Sequence, residues 1–299
     1  MTKKAAVILL GLSLVLILAG VFLGVREGWG FSAGAGTVGT EGDLDPQKLS
    51  AIRIDVGGVD VRIYDTEDDT VQVDVSERVK NDVTVENKNG VLTVRQSSSN
   101  SIQLFGGERS VVVWVPDNFA GEIAVTTGSG EIVFMGLALE NVSVALTSGS
   151  GEISLYDCTL REAHLQTGSG DIYTGDVAAE KSFTAVASSG ALSIRTVYAP
   201  GISAGTSSGD LWISETGGDD LQLKTVSGNI LADRVDAVTM TARAESGSVD
   251  LLLSGTAADY TITAASASGS IRGAEGSGGG DRRVEISTAS GNISVSYVE

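Results

Sequence analysis

The sequence predicts an all-β fold: a single-stranded β-solenoid, or β-helix, of about 19–22 residues per coil, preceded by one N-terminal transmembrane helix. Three observations lead there. Residues 5–25 are apolar and uncharged, short runs from Ile52 onward alternate apolar with polar residues, and from Ser129 a Ser-Gly pair recurs nine times. Thirty-nine glycines against three prolines, without a period of three, agree with turn-rich β structure.

The first element is the stretch "AAVILLGLSLVLILAGVFLGV", 21 residues long. A helix needs about 20 apolar residues to cross the hydrocarbon core. A cleaved signal peptide has a shorter apolar core of about 7–15 residues, so the span is expected to be retained. Leu18–Gly20 ("LAG") resembles a lipoprotein signal, but Val21 stands where the lipid-bearing cysteine would have to be. Lys3 and Lys4 precede the span and Arg26 behind it is accompanied by Glu27, which keeps the short N-terminus in the cytoplasm and places residues 29–299 outside. The expected divisions are residues 1–28 for the cytoplasmic start and transmembrane helix, 29–49 for a flexible linker, 50–120 for an N-terminal β-strand segment or solenoid cap, and 121–299 for the solenoid repeats.

The formal net charge is −18, and past residue 28 there are 17 basic against 37 acidic residues. Nucleic acid and anionic lipid are therefore poor partners. The single cysteine, Cys158, excludes an internal disulfide and reads as a small residue in a loop.

Behind the linker, "IRIDV", "VDVRIY", "VQVDV", "VTVEN", "VLTVRQ" and "VVVWVP" describe short half-buried strands. The repeats then begin. Ser-Gly pairs start at Ser129, Ser150, Ser169, Ser189, Ser208, Ser227, Ser246, Ser268 and Ser290. Two residues past each glycine stands an aliphatic residue, from Ile132 and Ile153 to Ile293; six and four before each serine stand apolar residues; two before it only Thr, Ser or Ala occurs. The unit reads as strand, Ser-Gly corner, strand, outer loop. One such unit cannot bury its apolar face alone, whereas stacked coils form a continuous core. An antiparallel meander would share the alternation but would not require one corner sequence at every second turn. Glycine is expected to supply a positive φ at the corner, and serine a bond to nearby backbone.

Patterns that resemble catalytic or cofactor motifs dissolve on inspection. Gly34, Gly36 and Gly39 match the dinucleotide fingerprint formally, but no strand precedes them and no helix follows. Gly205-Thr-Ser207-Ser-Gly209 matches G-x-S-x-G, yet it is the fifth corner, and the only histidine, His164, precedes it and falls in phase with outward positions. Glu131, Glu152, Asp171 and Asp210 follow corner glycines and would stack along one edge. Calcium could take such oxygens, but a solvated acidic edge is the plainer reading, and no metal, cofactor or catalytic residue is assigned. A polysaccharide lyase or hydrolase on the same fold is the alternative, drawing on carboxylates with Arg161, Arg195, Arg234 and Arg243. Trp114 lies in an apolar strand, which leaves Trp212, Tyr156, Tyr173 and Tyr198 as scattered aromatic candidates.

Together, "IRIDVGGVDVRIYDTEDDTVQVDV", "VVVWVP" and the repeated T-x-S-G-[DE]-I resemble the bacterial putative-adhesin family of uncharacterised β-repeat domains, the LiaG-like envelope proteins, over roughly residues 50–299. The resemblance implies a membrane anchor, an external β-solenoid, a link to envelope stress and no catalytic residues; no site is carried over. The expected function is a membrane-anchored, extracytoplasmic, non-catalytic binding, adhesion or scaffolding element of the cell envelope. An envelope protein or glycan is the expected partner, docking on the variable loops at residues 135–143, 156–162, 195–201, 214–220 and 274–283.

Overall fold

The computed structural model describes residues 36–37, 44–97, 108–274 and 279–299, and these form an all-β solenoid. Among the described residues, helix is confined to the short turns Pro46–Lys48 and Ala257–Asp259, and no helix is long and apolar enough to cross a membrane. The expected span at residues 5–25 lies outside the described residues, as does most of the expected linker.

One central coil shows the cross-section. Residues 153–156 pair in parallel with residues 132–135 of the coil before and residues 172–175 of the coil after. The chain bends at Asp157, and residues 158–160 pair with residues 177–179. It bends again at Arg161, and residues 162–167 pair with residues 182–187 before the next Ser-Gly corner. The coil therefore has three sides. The expected outer loop is instead a short second side whose inward residues, Leu137 and Leu139, Cys158 and Leu160, Val177 and Ala179, Val197 and Ala199, and Val235 and Ala237, are buried.

The bend between the first and second sides is built from left-handed backbone. Gly136 has a φ of 82°, and below it Asp157, Asp176, Thr196, Glu215 and Arg234 have φ of 50–55°, one above the other. A single left-handed residue breaks the two-residue alternation of the strand, which hid the second side from a period-two reading.

The Ser-Gly corner works differently from the expectation. A Cβ on the corner glycines Gly130, Gly151, Gly170, Gly190, Gly209, Gly228, Gly247, Gly291 and Gly269 would lie 1.7–2.2 Å from a carbonyl oxygen of the neighbouring coil. Seven of the nine have no positive φ, and Gly247 and Gly291, at 154° and 158°, sit at the margin of the extended region. Glycine is required by the closeness of stacked backbones. The corner serine is not the recurring polar bridge, although Ser268 donates to the Ala289 carbonyl at 3.3 Å. The hydroxyl two residues earlier takes that role: Ser148 and Thr167 accept the N–H of Gly151 and Gly170 at 2.8 and 3.1 Å and donate to the carbonyls of Gly130 and Gly151 at 3.2 and 3.1 Å. Thr206, Thr225, Thr288 and Ser266 donate to neighbouring corner carbonyls in the same way. The position is buried at eight of the nine corners, which confines it to small residues, and where Thr or Ser stands there its hydroxyl satisfies a corner carbonyl that Ala187 and Ala244 leave without such a bond.

Stacking does not follow chain order at either end. Strand Ala51–Val56 lies between Val91–Gln96 and Glu122–Thr127, and Asp60–Thr66 lies between Ser110–Pro116 and Ile132–Met135. Residues 51–66 are thus a coil of the solenoid, covered by a later one. At the other end, Arg282–Ser290 pairs with both Ile230–Ser246 and Tyr260–Ser268, and Ile293–Val298 with both Val249–Ser254 and Ile271–Arg272. The last coil in sequence is inserted one place from the end, where serial stacking would have left it outermost. Arg282 holds it there, donating to the Ser254 carbonyl and the Tyr260 hydroxyl at 3.1 and 3.0 Å and pairing with Asp236 at 3.0 Å.

Candidate functional site

The outer face of the first side gathers side chains that the sequence scatters. Val61 and Ile63, Ile132 and Phe134, and Leu211 and Ile213 point into the core. The alternating positions between and beyond them point outward. Register then places Tyr173, Ser193, Trp212 and Leu231 in one outward row. Trp114, Tyr64, Met135 and Tyr156 form a second row beside it. Trp212 is 42% exposed and its neighbour Leu231 41%, so the face carries apolar surface open to solvent. At about 4.8 Å per coil, Tyr173 and Trp212, two coils apart, are separated by ~9.6 Å.

Local contacts hold these rings in place. A Cβ on Gly175 would meet the Tyr156 ring at 3.0–3.1 Å, so the ring lies over that glycine, with Arg195 beyond it. The Tyr173 hydroxyl donates to Asp171 at 3.2 Å. Burial pushes the phenols of Tyr156 and Tyr173 up to about 12, helped by nearby carboxylates, so both are neutral hydrogen-bonding groups.

Beside the rings runs the row of residues that follow the corners. Their side chains are spent on stacking: Asp171 Oδ1 accepts the N–H of Ala191 at 2.8 Å, Asp210 Oδ1 that of Asn229 at 2.7 Å, and Asn229 Oδ1 that of Ser248 at 3.0 Å. Glu131 and Glu152 stand in the same row. Burial raises the Glu152 carboxyl above the usual range, with Glu131 and Asp171 adding to the rise, while a 3.1 Å bond from Ser154 opposes it. Among the described residues, no group of three or more His, Cys, Asp or Glu side chains is arranged to hold a metal ion.

The remaining candidates do not converge. Arg195 is on the first side and Arg161 at the bend before the third, while Arg234 pairs with Glu215 at 2.6 Å and Arg243 with Glu285 at 2.9 Å, each on a different part of the surface. His164 is exposed on the third side, between Ala145 and Thr184. Cys158 is buried, donates to the Tyr156 carbonyl at 2.9 Å, and has its thiol pushed up to about 12 by desolvation. Its expected loop position is corrected to the core. A shallow groove of about 560 Å³ beside Lys224, Arg243 and Ala265 is open, and its arginine is the one tied to Glu285. The variable segments expected to dock a partner carry Leu137, Leu139, Cys158, Leu160 and Val197 into the core. Tyr64 and Trp114 went unrecognised as surface aromatics; their signal was alternation with buried Ile63 and Val113.

Residues 49–296 match the family model described as Toastrack DUF4097. No curated protein matches the chain. Similar solved structures include a putative lipid binding protein from Parabacteroides distasonis, at 15% identity and TM-score 0.45 over 84% of this chain and 93% of that one. A putative adhesin from Bacteroides fragilis aligns at 13% identity and TM-score 0.45, over 84% and 94%. A putative cell adhesion protein from Clostridium sporogenes aligns at 12% identity and TM-score 0.31, over 85% and 96%. With the family match covering the whole solenoid, the chain belongs to the Toastrack DUF4097 family, in keeping with the adhesin-like β-repeat family that its sequence resembles.

Proposed function

We propose that this chain is a non-catalytic binding element of the cell envelope, tethered by residues 5–25, with residues 29–299 outside the cytoplasm. Its ligand is an extended, uncharged glycan lying along the outer face of the first side. The observation that carries this reading is the outward row Tyr173, Ser193, Trp212 and Leu231, in which two rings face solvent at a two-coil spacing on a rigid sheet. Aromatic faces stack against the C–H faces of sugars, and the ~9.6 Å between Tyr173 and Trp212, at about 4.8 Å per coil, suits two stacking contacts along one extended polymer. The surplus of acid, −18 formally, disfavours anionic polymers.

The test is co-sedimentation of the full chain with insoluble neutral glycans and with its own cell-wall material. Trp212→Ala and Tyr173→Ala should each weaken binding by about tenfold, about 1.4 kcal/mol. Retention of the double variant at the original affinity sinks the proposal.

A second reading, cleavage of the same polymer, has one observation in its favour: the raised Glu152 carboxyl beside Asp171 and Tyr173. Release of reducing ends that Glu152→Gln abolishes would replace binding by catalysis.

A further inference from the structure

The two ends of the solenoid are finished differently. At the N-terminal end both outermost strands are closed by antiparallel neighbours: Val83–Lys88 pairs with Val91–Gln96, and Gln72–Val75 with Ser110–Pro116. At the other end, among the described residues, Tyr260–Ser268 pairs along one edge only, with Arg282–Ser290, and Ile271–Arg272 only with Ile293–Val298.

The core is correspondingly open there. Val284, Ile286 and Ile293 of the inserted coil are 3%, 1% and 1% exposed, whereas Ile262, Ala264 and Ile271 of the end coil, in the same inward positions, are only partly buried. Edge strands are normally protected by charge, proline or a bulge. Residues 260–271, "YTITAASASGSI", contain no charge and no proline, in a chain with a formal charge of −18. The uncharged end strand therefore lets two copies approach there without like charges meeting along it.

We infer that the end strand Tyr260–Ser268 pairs antiparallel with the same strand of a second copy, joining two solenoids end to end. A two-fold axis across this strand gives an isologous contact that closes on itself and stops at a dimer. Antiparallel pairing keeps Ile262 and Ala264 of both strands on one side of the joined sheet, so each copy covers the other's open core. Thr263 and Ala265 are exposed on the opposite side and meet their counterparts across the axis.

The experiment measures the mass of the full chain in solution by light scattering, with Thr263→Lys/Ala265→Lys as the edge variant. Thr184→Lys/Val186→Lys, at the same outward positions in mid-rod, serves as the control. The original chain and the control should run as dimers, and the edge variant as a monomer with an unchanged β spectrum. A monomeric original chain overturns the inference, as does a dimer that the edge lysines leave intact, since that would be association through residues 5–25 or another face. Equal loss of the dimer in the control overturns it as well.

Discussion

A methyl group added at Gly170 or Gly209 would meet a backbone carbonyl oxygen of the neighbouring coil at 2.0 or 2.2 Å, a contact that only movement of the stack can relieve. Gly170→Ala and Gly209→Ala should each cost about 1–3 kcal/mol, read as a drop in melting temperature. Gly205, four residues before one of these corners, is the control: its added Cβ would meet nothing nearer than 3.5 Å, so Gly205→Ala should leave stability unchanged or raise it slightly. The need for glycine was visible in the repeat, but its cause lies in a neighbour about 19 residues away and not in the local φ. The acidic row makes a second prediction. The Glu152 carboxyl is raised in the folded chain, so its protonated form is favoured by folding, and stability is lost as pH rises from the ordinary glutamate value through the folded one. Glu152→Gln should therefore raise the melting temperature at pH 7, with the gain disappearing below about pH 4. A gain that grew in acid would reverse the sign and remove the argument.

Each long strand, such as Ile153–Thr167 or Ile230–Ser246, turns a corner without ending, because one left-handed residue lets the ladder resume on the next side. Asp tolerates that conformation better than a β-branched residue does, and Thr196, with φ of 51°, is the costly member of the row. Thr196→Gly should stabilise the protein by about 1 kcal/mol, the reverse of what glycine does inside an ordinary strand. Chemical denaturation would show it, and a loss of stability would mean that the Thr196 side chain contributes more than its backbone strain costs. The first and third sides were readable because their inward residues sit at fixed distances from the Ser-Gly pair. The second side was not, since the left-handed residue shifts the phase of Leu137, Cys158, Val177 and Val197 relative to the strand before it. The aromatic face was hidden for a related reason: Tyr64, Trp114, Tyr156, Tyr173 and Trp212 are far apart in sequence, and only the stacking register brings them onto one surface.

At both ends of the solenoid, the coil that comes first or last in sequence is stacked between two others, and a later or earlier coil takes the outermost position. The sequence could not reveal this order, because the corners at Ser268 and Ser290 follow the same local rules and either could stack on the corner at Ser246. The discriminating features are long-range: Arg282 reaching Ser254, Tyr260 and Asp236, and the Gly291 corner seated directly on Gly247. Strands near chain ends ordinarily fray and exchange their amides fast. Here Ile293–Val298, close to the C-terminus, pairs along its whole length with Val249–Ser254 and at Ile293 and Ser294 also with Ile271–Arg272, and Ala51–Val56 lies between two parallel neighbours. Hydrogen exchange should therefore run against sequence position. In the Thr263→Lys/Ala265→Lys chain, where self-pairing is blocked, peptides from residues 293–298 should be better protected than those from residues 260–272, and peptides from residues 51–56 better than those from residues 83–88. If protection instead falls steadily toward each end of the chain, the coils stack in serial order and the inserted arrangement is wrong.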